Sequence, residues 1–191
     1  WHTLWVVDPL DGTKEFIKQN GEFTVNIALV EGQTPTLGVI YVPVSDELYF
    51  GADEIGSYRL EKASKANLEF MDDVIAKSDR LPQKEEGRPF TMVGSRSHMS
   101  DETLEYFTNV RAKHPEAEII SKGSSLKICM VAEGAADVYP RFAPTMEWDT
   151  AAGHAIAKAA GFEVNNPKTG KPLVYNKQDL LNPWFIVEPK D

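Results

Sequence analysis

Residues 5–16 read Trp-Val-Val-Asp-Pro-Leu-Asp-Gly-Thr-Lys-Glu-Phe, and the rest of the chain is organised around this stretch. Its apolar, β-prone run is expected to end at Asp8, because a residue before proline avoids helix and proline cannot donate to a β-ladder. Asp11 follows in a predicted loop, and a Gly-Thr pair comes directly after it. The two carboxylates and the Leu10 carbonyl are the hard oxygen ligands that Mg²⁺ prefers. The stretch therefore indicates a metal site beside backbone amides that can face a phosphate.

A second acidic position lies far downstream, in the stretch Glu147-Trp148-Asp149-Thr150-Ala151-Ala152-Gly153. Asp149 falls near the start of a predicted Ala-rich helix, where the positive end of the helix dipole favours anions. The sequence leaves two interpretations of its carboxylate open, a metal ligand or a simple helix cap. The dipeptides Asp8-Pro9 and Asp11-Gly12, taken singly, are likewise ordinary turn formers. Only the combination of the two stretches favours a site.

Composition limits the classes of function. The length of 191 residues with 42% hydrophobic content fits one domain, or one and part of another, with a sizeable core. The formal charge of -9 repels nucleic acid polymers and acidic membrane surfaces, so cations must mediate the binding of any anionic substrate. A single cysteine, Cys129, excludes an internal disulfide framework and a thiolate zinc cluster, and a small core residue is expected there.

No stretch approaches the roughly 20 apolar residues of a membrane-spanning helix. The sequence therefore predicts a soluble protein of the reducing cytoplasm, and a peripheral association with the inner membrane is left open.

The pattern of apolar residues predicts two parts, residues 1–88 with an antiparallel sheet and residues 89–191 with alternating strands and helices. Polar residues 61–89 are expected to form a long surface connection between the two parts. The second part is expected to contain three strands and three helices. The strands are residues 90–93, 118–120 and 136–139, and the helices are 101–113 capped by Ser100, 124 or 125 to 133, and 149–160.

The two acidic stretches, Asp8 to Thr13 and Trp148 to Gly153, together resemble the motifs of the inositol monophosphatase superfamily of lithium-sensitive, Mg²⁺-dependent phosphatases. Residues 14–17 and 20–27 look like its 3'(2'),5'-bisphosphate nucleotidase branch, whereas inositol phosphatases usually have Thr-Asn-Phe after the Gly-Thr pair. The resemblance covers nearly the whole chain. It implies a layered αβαβα sandwich, an α+β and α/β fold, and hydrolysis of 3'(2')-phosphoadenosine 5'-phosphate to AMP and phosphate. It also implies inhibition by Li⁺, a role in sulfate assimilation, and often a homodimer.

The resemblance also implies the roles of individual residues. Two or three Mg²⁺ ions would bind Asp8, the Leu10 carbonyl, Asp11 and Asp149. Asp11 and Thr13 would be catalytic, with the Thr13 hydroxyl orienting the attacking water. The residues expected to bind substrate are Leu10, Asp11, Gly12, Thr13, Ser124, Lys127, Arg141 and Asp149.

Alternatives remain for several polar residues. Arg96, Lys127 and Arg141 are candidates for a second phosphate, and the alternative for each is a solvated surface charge. The 122–127 segment is expected to present amides, hydroxyls and a cation at the start of a helix. His98 is a weak candidate for contact with the base or sugar. His154 is expected to pack inside its helix, since Mg²⁺ favours oxygen ligands.

In the family, a further metal-binding glutamate and an acidic partner of the threonine lie in an N-terminal helical segment, and nothing before Asp8 matches either one. The chain does not begin with Met, so a missing N-terminal portion is expected. A molecule that starts at Trp1 is expected to bind metal weakly and to turn over little substrate. Two other functions stay open: an inositol-phosphate or sugar-bisphosphate phosphatase, and a non-catalytic metal or nucleotide-binding module.

Overall fold

An antiparallel sheet of six strands forms the first part of the fold in the computed structural model, which describes residues 1–67, 69–95 and 99–190. The strands lie side by side in the order of the sequence, so each pairs with the next along the chain. They are β1 (Thr3–Asp11), β2 (Thr24–Glu31), β3 (Thr34–Val42), β4 (Glu47–Ala52), β5 (Gly56–Glu61) and β6 (Asp79–Arg80). The predicted antiparallel sheet is therefore present.

Strand β1 continues beyond the proline, so the predicted end of the strand at Asp8 was wrong. Asp8 pairs with Asn26 and Asp11 pairs with Thr24, so the chain advances three residues on β1 where it advances two on β2. This is a β-bulge, and Pro9 is accommodated because it lies within the bulge, where no regular ladder bond is required. The short helix α1 (Thr13–Ile17) begins directly afterwards.

Residues 61–89 are more ordered than their polarity suggested, so the prediction of a plain surface connection was wrong. A 3₁₀ turn (Ala63–Lys65), helix α2 (Met71–Ala76) and strand β6 lie within it. Ala63 and Val74 pack with Phe50, Tyr58 and Leu60 against one face of the sheet. A few apolar residues, widely spaced in the sequence, are enough to fix the segment on the sheet.

The second part of the fold contains short strands and three longer helices. A parallel pair is formed by β7 (Thr91–Ser95) and β8 (Glu118–Lys122), and Met92 also bridges to Val138. An antiparallel sheet of four strands follows the order β11-β10-β12-β9, with β9 (Tyr139–Arg141), β10 (Phe162–Asn166), β11 (Lys171–Pro172) and β12 (Phe185–Pro189). The helices are α3 (Asp101–Lys113), α4 (Leu126–Ala132) and α5 (Glu147–Ala159).

Most of the predicted elements of this part occur within a few residues of their expected bounds. Helix α3 has the predicted bounds, and the Ser100 hydroxyl accepts from the Thr103 N–H as its cap. The expected strand at 136–139 lies further along, at β9.

Helices α4 and α5 form a layer between the large sheet and the β9–β12 sheet. Helix α5 contacts β2, β3, β4 and β10, and α4 contacts α5, β9 and β12. Helix α3 covers the opposite face of the second sheet, where Phe107 packs with Met92, Val138 and Ile186. The main core contains residues from both predicted parts, such as Ala28, Ile40, Val93 and Ile156. The division near residue 88 therefore stays a proposal.

Helix α5 approaches the sheet closely because the contacting residues are small. A Cβ on Gly38 of β3 would lie 2.1 Å from the Ala152 carbonyl oxygen of α5. A Cβ on Gly153 of α5 would lie 2.8 Å from Ile128 Cδ1 of the neighbouring helix α4. One face of strand β1 is exposed, with Trp5 60% exposed and Val7 49% exposed. Among the described residues, no helix is both long and apolar enough to cross a membrane.

We expect Gly38→Ala to lower the free energy of unfolding by ~3 kcal/mol, because the new Cβ must push the backbone of α5 away from β3. Urea denaturation followed by circular dichroism measures the change. Gly94→Ala is the matched control, since its Cβ would meet no atom closer than 3.4 Å. Equal stability of the two variants would contradict the tight contact.

Candidate active site

Three carboxylates meet where the end of β1 faces the start of α5. One oxygen from each of Asp8, Asp11 and Asp149 lies within 4.8 Å of the others. The bulge of β1 sets the first two, and the close packing of α5 on the sheet brings the third beside them. Asp149 also accepts a hydrogen bond from the Met146 N–H at 2.7 Å, so it caps the helix as well. The cap does not exclude a metal role, since Oδ2 serves the cap and the second oxygen can face a cation.

The electrostatics of this carboxylate group fit a divalent cation. The pKa of Asp149 is raised to about 6, mainly by burial and in addition by the charges of Asp11 and Asp8, against the opposing Met146 hydrogen bond. Burial also raises the pKa of Asp8, which the Leu10 N–H opposes at 3.0 Å. Like charges this close disfavour the ionised state, and a bound cation reverses that preference. The all-oxygen donor set is the type that Mg²⁺ prefers.

The Asp11 carboxylate is oriented by partners that sequence reasoning missed. Its Oδ2 accepts from the Ser125 N–H at 2.7 Å and lies 2.6 Å from the Ser125 hydroxyl. The Thr24 hydroxyl and the Asn26 amide approach the same oxygen, each at 3.3 Å. All four contacts end on Oδ2, so among the described residues Oδ1 is the oxygen that remains for a cation.

A sequence pattern indicates the two partners from β2 once the strand is known. Along β2, buried residues alternate with half-buried ones, and Thr24 and Asn26 lie on the buried face together with Ala28 and Val30. They are 0% and 1% exposed. Polar side chains on a buried face need partners, so such a pair at a strand end indicates a site.

Ser125 does not cap α4 with its side chain, contrary to one of the two expected caps. It occupies the N-cap position without a side-chain capping bond. Its hydroxyl instead reaches Asp11 and, at 2.9 Å, the Asp149 carbonyl oxygen, and it accepts from the Asn26 amide at 2.9 Å. Competition from the Asp11 carboxylate removes the hydroxyl from the helix end, because bonds to charged acceptors are stronger.

The amides of the 122–127 segment are also partly engaged. The Gly123 N–H donates to Glu22 Oε2 at 2.8 Å, and the Ser125 N–H donates to Asp11. The expectation that this segment presents its amides to a phosphate is therefore wrong for these two groups.

A cavity of about 220 Å³ lies beside the carboxylates. Its lining includes six of the residues that were expected to bind substrate: Asp11, Gly12, Ser124, Lys127, Arg141 and Asp149. Leu10 and Thr13 are not among the described residues that line it; Leu10 lies in the bulge, and Thr13 begins α1 and is exposed. Lys14, Tyr139 and Thr145 also line the cavity and were not expected.

Lys127 is not a solvated surface charge. It is 8% exposed, and its Nζ donates to the Ser124 carbonyl at 2.7 Å. Burial lowers the pKa of Lys127 to about 8, although the charge of Asp11 opposes this effect. Arg141 is partly buried, and its Nε has no hydrogen-bond partner in the described part of the chain. The lining thus combines the carboxylates of Asp11 and Asp149 with the cations Lys127 and Arg141, and Lys14 and Lys122 line the same cavity.

The remaining candidates fall outside the cavity or outside the described residues. His154 is 2% exposed and packs between the Tyr175 hydroxyl at 3.0 Å and the Glu163 carboxylate at 2.6 Å, which confirms the expected packing role. Cys129 is a buried core residue, as expected. Arg96 and His98 lie outside the described residues.

We expect Asp149→Asn to raise the melting temperature of the metal-free protein at pH 8 by a few degrees, because it removes a charge from a repelling group. The folded pKa of Asp149 is raised from its usual 3.8 to about 6, mainly by burial and then by the neighbouring carboxylates, so the destabilisation is absent below pH ~4, grows between pH ~4 and about 6 and is complete above that. The variant should also lose the stabilisation that Mg²⁺ gives to the unsubstituted protein. Thermal unfolding in EDTA and in Mg²⁺ at pH 4 and 8 measures both effects.

The matched control is Asp53→Asn, a carboxylate at the surface that pairs with Lys158 far from the cavity. It should leave the Mg²⁺ response unchanged. An Asp149→Asn variant that Mg²⁺ still stabilises to the same extent would contradict a cation site at the three carboxylates.

Curated relatives match almost the whole chain. The 3'(2'),5'-bisphosphate nucleotidase CysQ of Salmonella typhimurium is 48% identical over 188 residues, covering 98% of this chain and 68% of the relative. The protein of the same name from Escherichia coli K12 is 47% identical with the same coverage. The chain thus spans about two thirds of the length of these relatives.

Solved structures confirm the expected layered fold. The crystal structure of CysQ from Bacteroides thetaiotaomicron, described as a bacterial member of the inositol monophosphatase family, is 59% identical with a TM-score of 0.95. It covers 100% of this chain and 71% of that chain. The inositol monophosphate-bound structure of SaIMPase-II, at 24% identity and a TM-score of 0.72, shows a similar fold over 98% of this chain and 64% of its own. The sequence model described as Inositol monophosphatase family matches residues 2–186. The chain therefore belongs to the inositol monophosphatase family.

Proposed function

We propose that the protein is a Mg²⁺-dependent phosphomonoesterase that hydrolyses 3'(2')-phosphoadenosine 5'-phosphate to AMP and phosphate. The observation that carries the proposal is the three-carboxylate group beside a cavity lined by Lys127 and Arg141. The names of the relatives at 47 and 48% identity support the same substrate.

The distribution of charge in the cavity favours a substrate with two phosphates. One phosphate requires cations at the carboxylates, because a phosphate and three carboxylates repel each other without them. A second phosphate can pair directly with Lys127 and Arg141 through charge-assisted hydrogen bonds. Inositol 1-phosphate has only one phosphate and leaves these two cations without an anion.

The chain's own residues would hold the reactants. Asp8, Asp11, Asp149 and the Leu10 carbonyl would bind two or three Mg²⁺ ions, which when bound polarise a phosphoryl group and lower the pKa of water. The Gly12 and Thr13 amides would hold the scissile phosphate, and the Thr13 hydroxyl would orient the attacking water.

The backbone at Gly12 supports a role close to the phosphate. Gly12 has φ of 86°, and a Cβ there would lie 3.0 Å from Ser124 Cβ. A side chain at this position would be strained and would crowd the cavity. The glycine therefore keeps the approach to this loop open.

The proposal includes a cellular setting. Cys129 is a free, buried thiol, which fits a reducing cytoplasm. Inhibition by Li⁺, removal of a by-product of sulfate assimilation and a homodimeric state belong to the same proposal, as extensions of the family resemblance.

The proposed function is tested by comparing phosphate release from three substrates in Mg²⁺, using protein expressed from its complete coding sequence. We expect kcat/KM for 3'-phosphoadenosine 5'-phosphate to exceed that for inositol 1-phosphate by ~10-fold or more, since a charge-assisted contact to the second phosphate contributes ~1.5–3 kcal/mol. Fructose 1,6-bisphosphate also carries two phosphates, so it tests the sugar-bisphosphate alternative, and the names of the relatives predict a lower kcat/KM for it. Equal or reversed preference would replace the nucleotidase with another phosphatase. Tight binding of the nucleotide without phosphate release would indicate a non-catalytic module.

Lys127→Met should raise KM for the bisphosphate nucleotide by ~10-fold and leave kcat/KM for 4-nitrophenyl phosphate nearly unchanged, because only the second phosphate uses this charge. In the unsubstituted protein, kcat/KM for the nucleotide should fall as pH rises through about 8, where the ammonium loses its proton. Lys77→Met, at an exposed lysine, is the control. Equal loss on both substrates would refute the assignment of Lys127 to the second phosphate.

A further inference from the structure

Two glycines of the site meet at Glu22, which lies just before β2. A Cβ on Gly12 would lie 3.2 Å from the Glu22 carbonyl oxygen, and one on Gly123 would lie 3.0 Å from it. Glu22 is only 8% exposed, which is unusual for a glutamate. Its own N–H donates to Asn20 Oδ1 at 3.0 Å, which fixes the turn that carries it. Glu22 therefore sits between the loop after β1 and the segment before α4.

The Glu22 carboxylate bonds the segment before α4, residues 122–125. Oε2 accepts from the Gly123 N–H at 2.8 Å, and Oε1 lies 3.7 Å from Lys122 Nζ. A carboxylate that accepts from a buried amide makes a charge-assisted bond, which is stronger than a neutral one. The contact joins residues that are 101 positions apart in the sequence.

The fastened segment contains a strained residue. Ser124 has φ of 43°, in the left-handed region that side chains other than glycine rarely adopt. Such a conformation persists only where the surrounding structure fixes it. The two neighbouring amides are fixed on either side, Gly123 by Glu22 and Ser125 by Asp11. The Ser124 carbonyl, held in this conformation, accepts from Lys127 Nζ at 2.7 Å.

We propose that Glu22 is a positioning residue that favours substrates with a second phosphate. By anchoring the Gly123 amide, it keeps Ser124 in its left-handed conformation and keeps the Ser124 carbonyl on the Lys127 ammonium that lines the cavity. Glu22 itself does not line the cavity, so it acts through this segment rather than on the substrate. The inference rests on the proposed function for its choice of substrate, but the anchoring itself does not.

The kinetic test uses three variants and two substrates. Glu22→Ala should lower kcat/KM for 3'-phosphoadenosine 5'-phosphate by about 10-fold, mainly through KM, and change that for 4-nitrophenyl phosphate by less than about threefold. Glu22→Gln keeps an acceptor oxygen at the same reach and should stay within about threefold of the unsubstituted protein on both substrates. Glu22→Asp keeps the charge but is one methylene shorter, and it should behave like Glu22→Ala.

A purely structural role gives a different pattern. Asp137→Ala is the matched control, because its carboxylate also accepts from a backbone N–H, that of Thr91 at 2.8 Å, and pairs with Arg88 away from the cavity. It should lower the melting temperature without changing the ratio of the two kcat/KM values. If Glu22→Ala lowers both substrates equally, or if Glu22→Asp matches the unsubstituted protein while Glu22→Gln does not, the inference is wrong.

Hydrogen–deuterium exchange tests the anchoring without any substrate. In Glu22→Ala and Glu22→Asp, amides of residues 122–127 should exchange faster, and those of α5 should keep their protection. Unchanged exchange in the 122–127 segment would overturn the inference, whatever the substrate proves to be. If the unsubstituted protein prefers inositol 1-phosphate, the proposed function fails, and the exchange experiment still decides whether Glu22 anchors the segment.

Discussion

The mutual repulsion of three partly buried carboxylates is the constraint around which the rest of the site is arranged. Asp8, Asp11 and Asp149 each place an oxygen within 4.8 Å of the others, and burial raises the pKa of Asp149 to about 6. Such a group persists because the backbone around it is fixed independently. The β-bulge fixes the backbone of β1, and the close packing of α5 on Gly38 fixes the start of that helix. The fold therefore maintains an arrangement that the charges by themselves oppose, and a cation would relieve it.

The hydrogen bonds around Asp11 show how the two parts of the fold depend on each other. One of its oxygens accepts from Ser125, which precedes α4, and lies near Thr24 and Asn26 of β2. The same Ser125 hydroxyl reaches the Asp149 carbonyl on α5. Asp11 and Ser125 thus link the large sheet, the residue before α4 and the start of α5. Loosening any one of them would change the orientation of the oxygen that faces the cation.

Cations line the same cavity as the carboxylates, and Lys127 depends on a second chain of contacts. Glu22 bonds Gly123, the strained Ser124 follows, and its carbonyl accepts from Lys127. Acidic and basic groups are therefore each fixed by buried hydrogen bonds to the same short segment before α4. A substrate with a second anionic group can pair with these cations, whereas one with a single phosphate held at the carboxylates leaves them without an anion.

The sequence by itself indicated the three carboxylates, because Asp8, Asp11 and Asp149 stand in compact local motifs whose residue types suit a hard divalent cation. It also determined the bounds of α3, since the Ser100 cap and the apolar pattern are local. Only the tertiary structure decided that β1 passes through Pro9, that Ser125 serves Asp11 rather than its own helix, and that residues 61–89 pack on the sheet. It likewise brought Glu22 to Gly123 and Asn26 to Ser125. These contacts join residues about a hundred positions apart, and no local preference of either partner specifies the other.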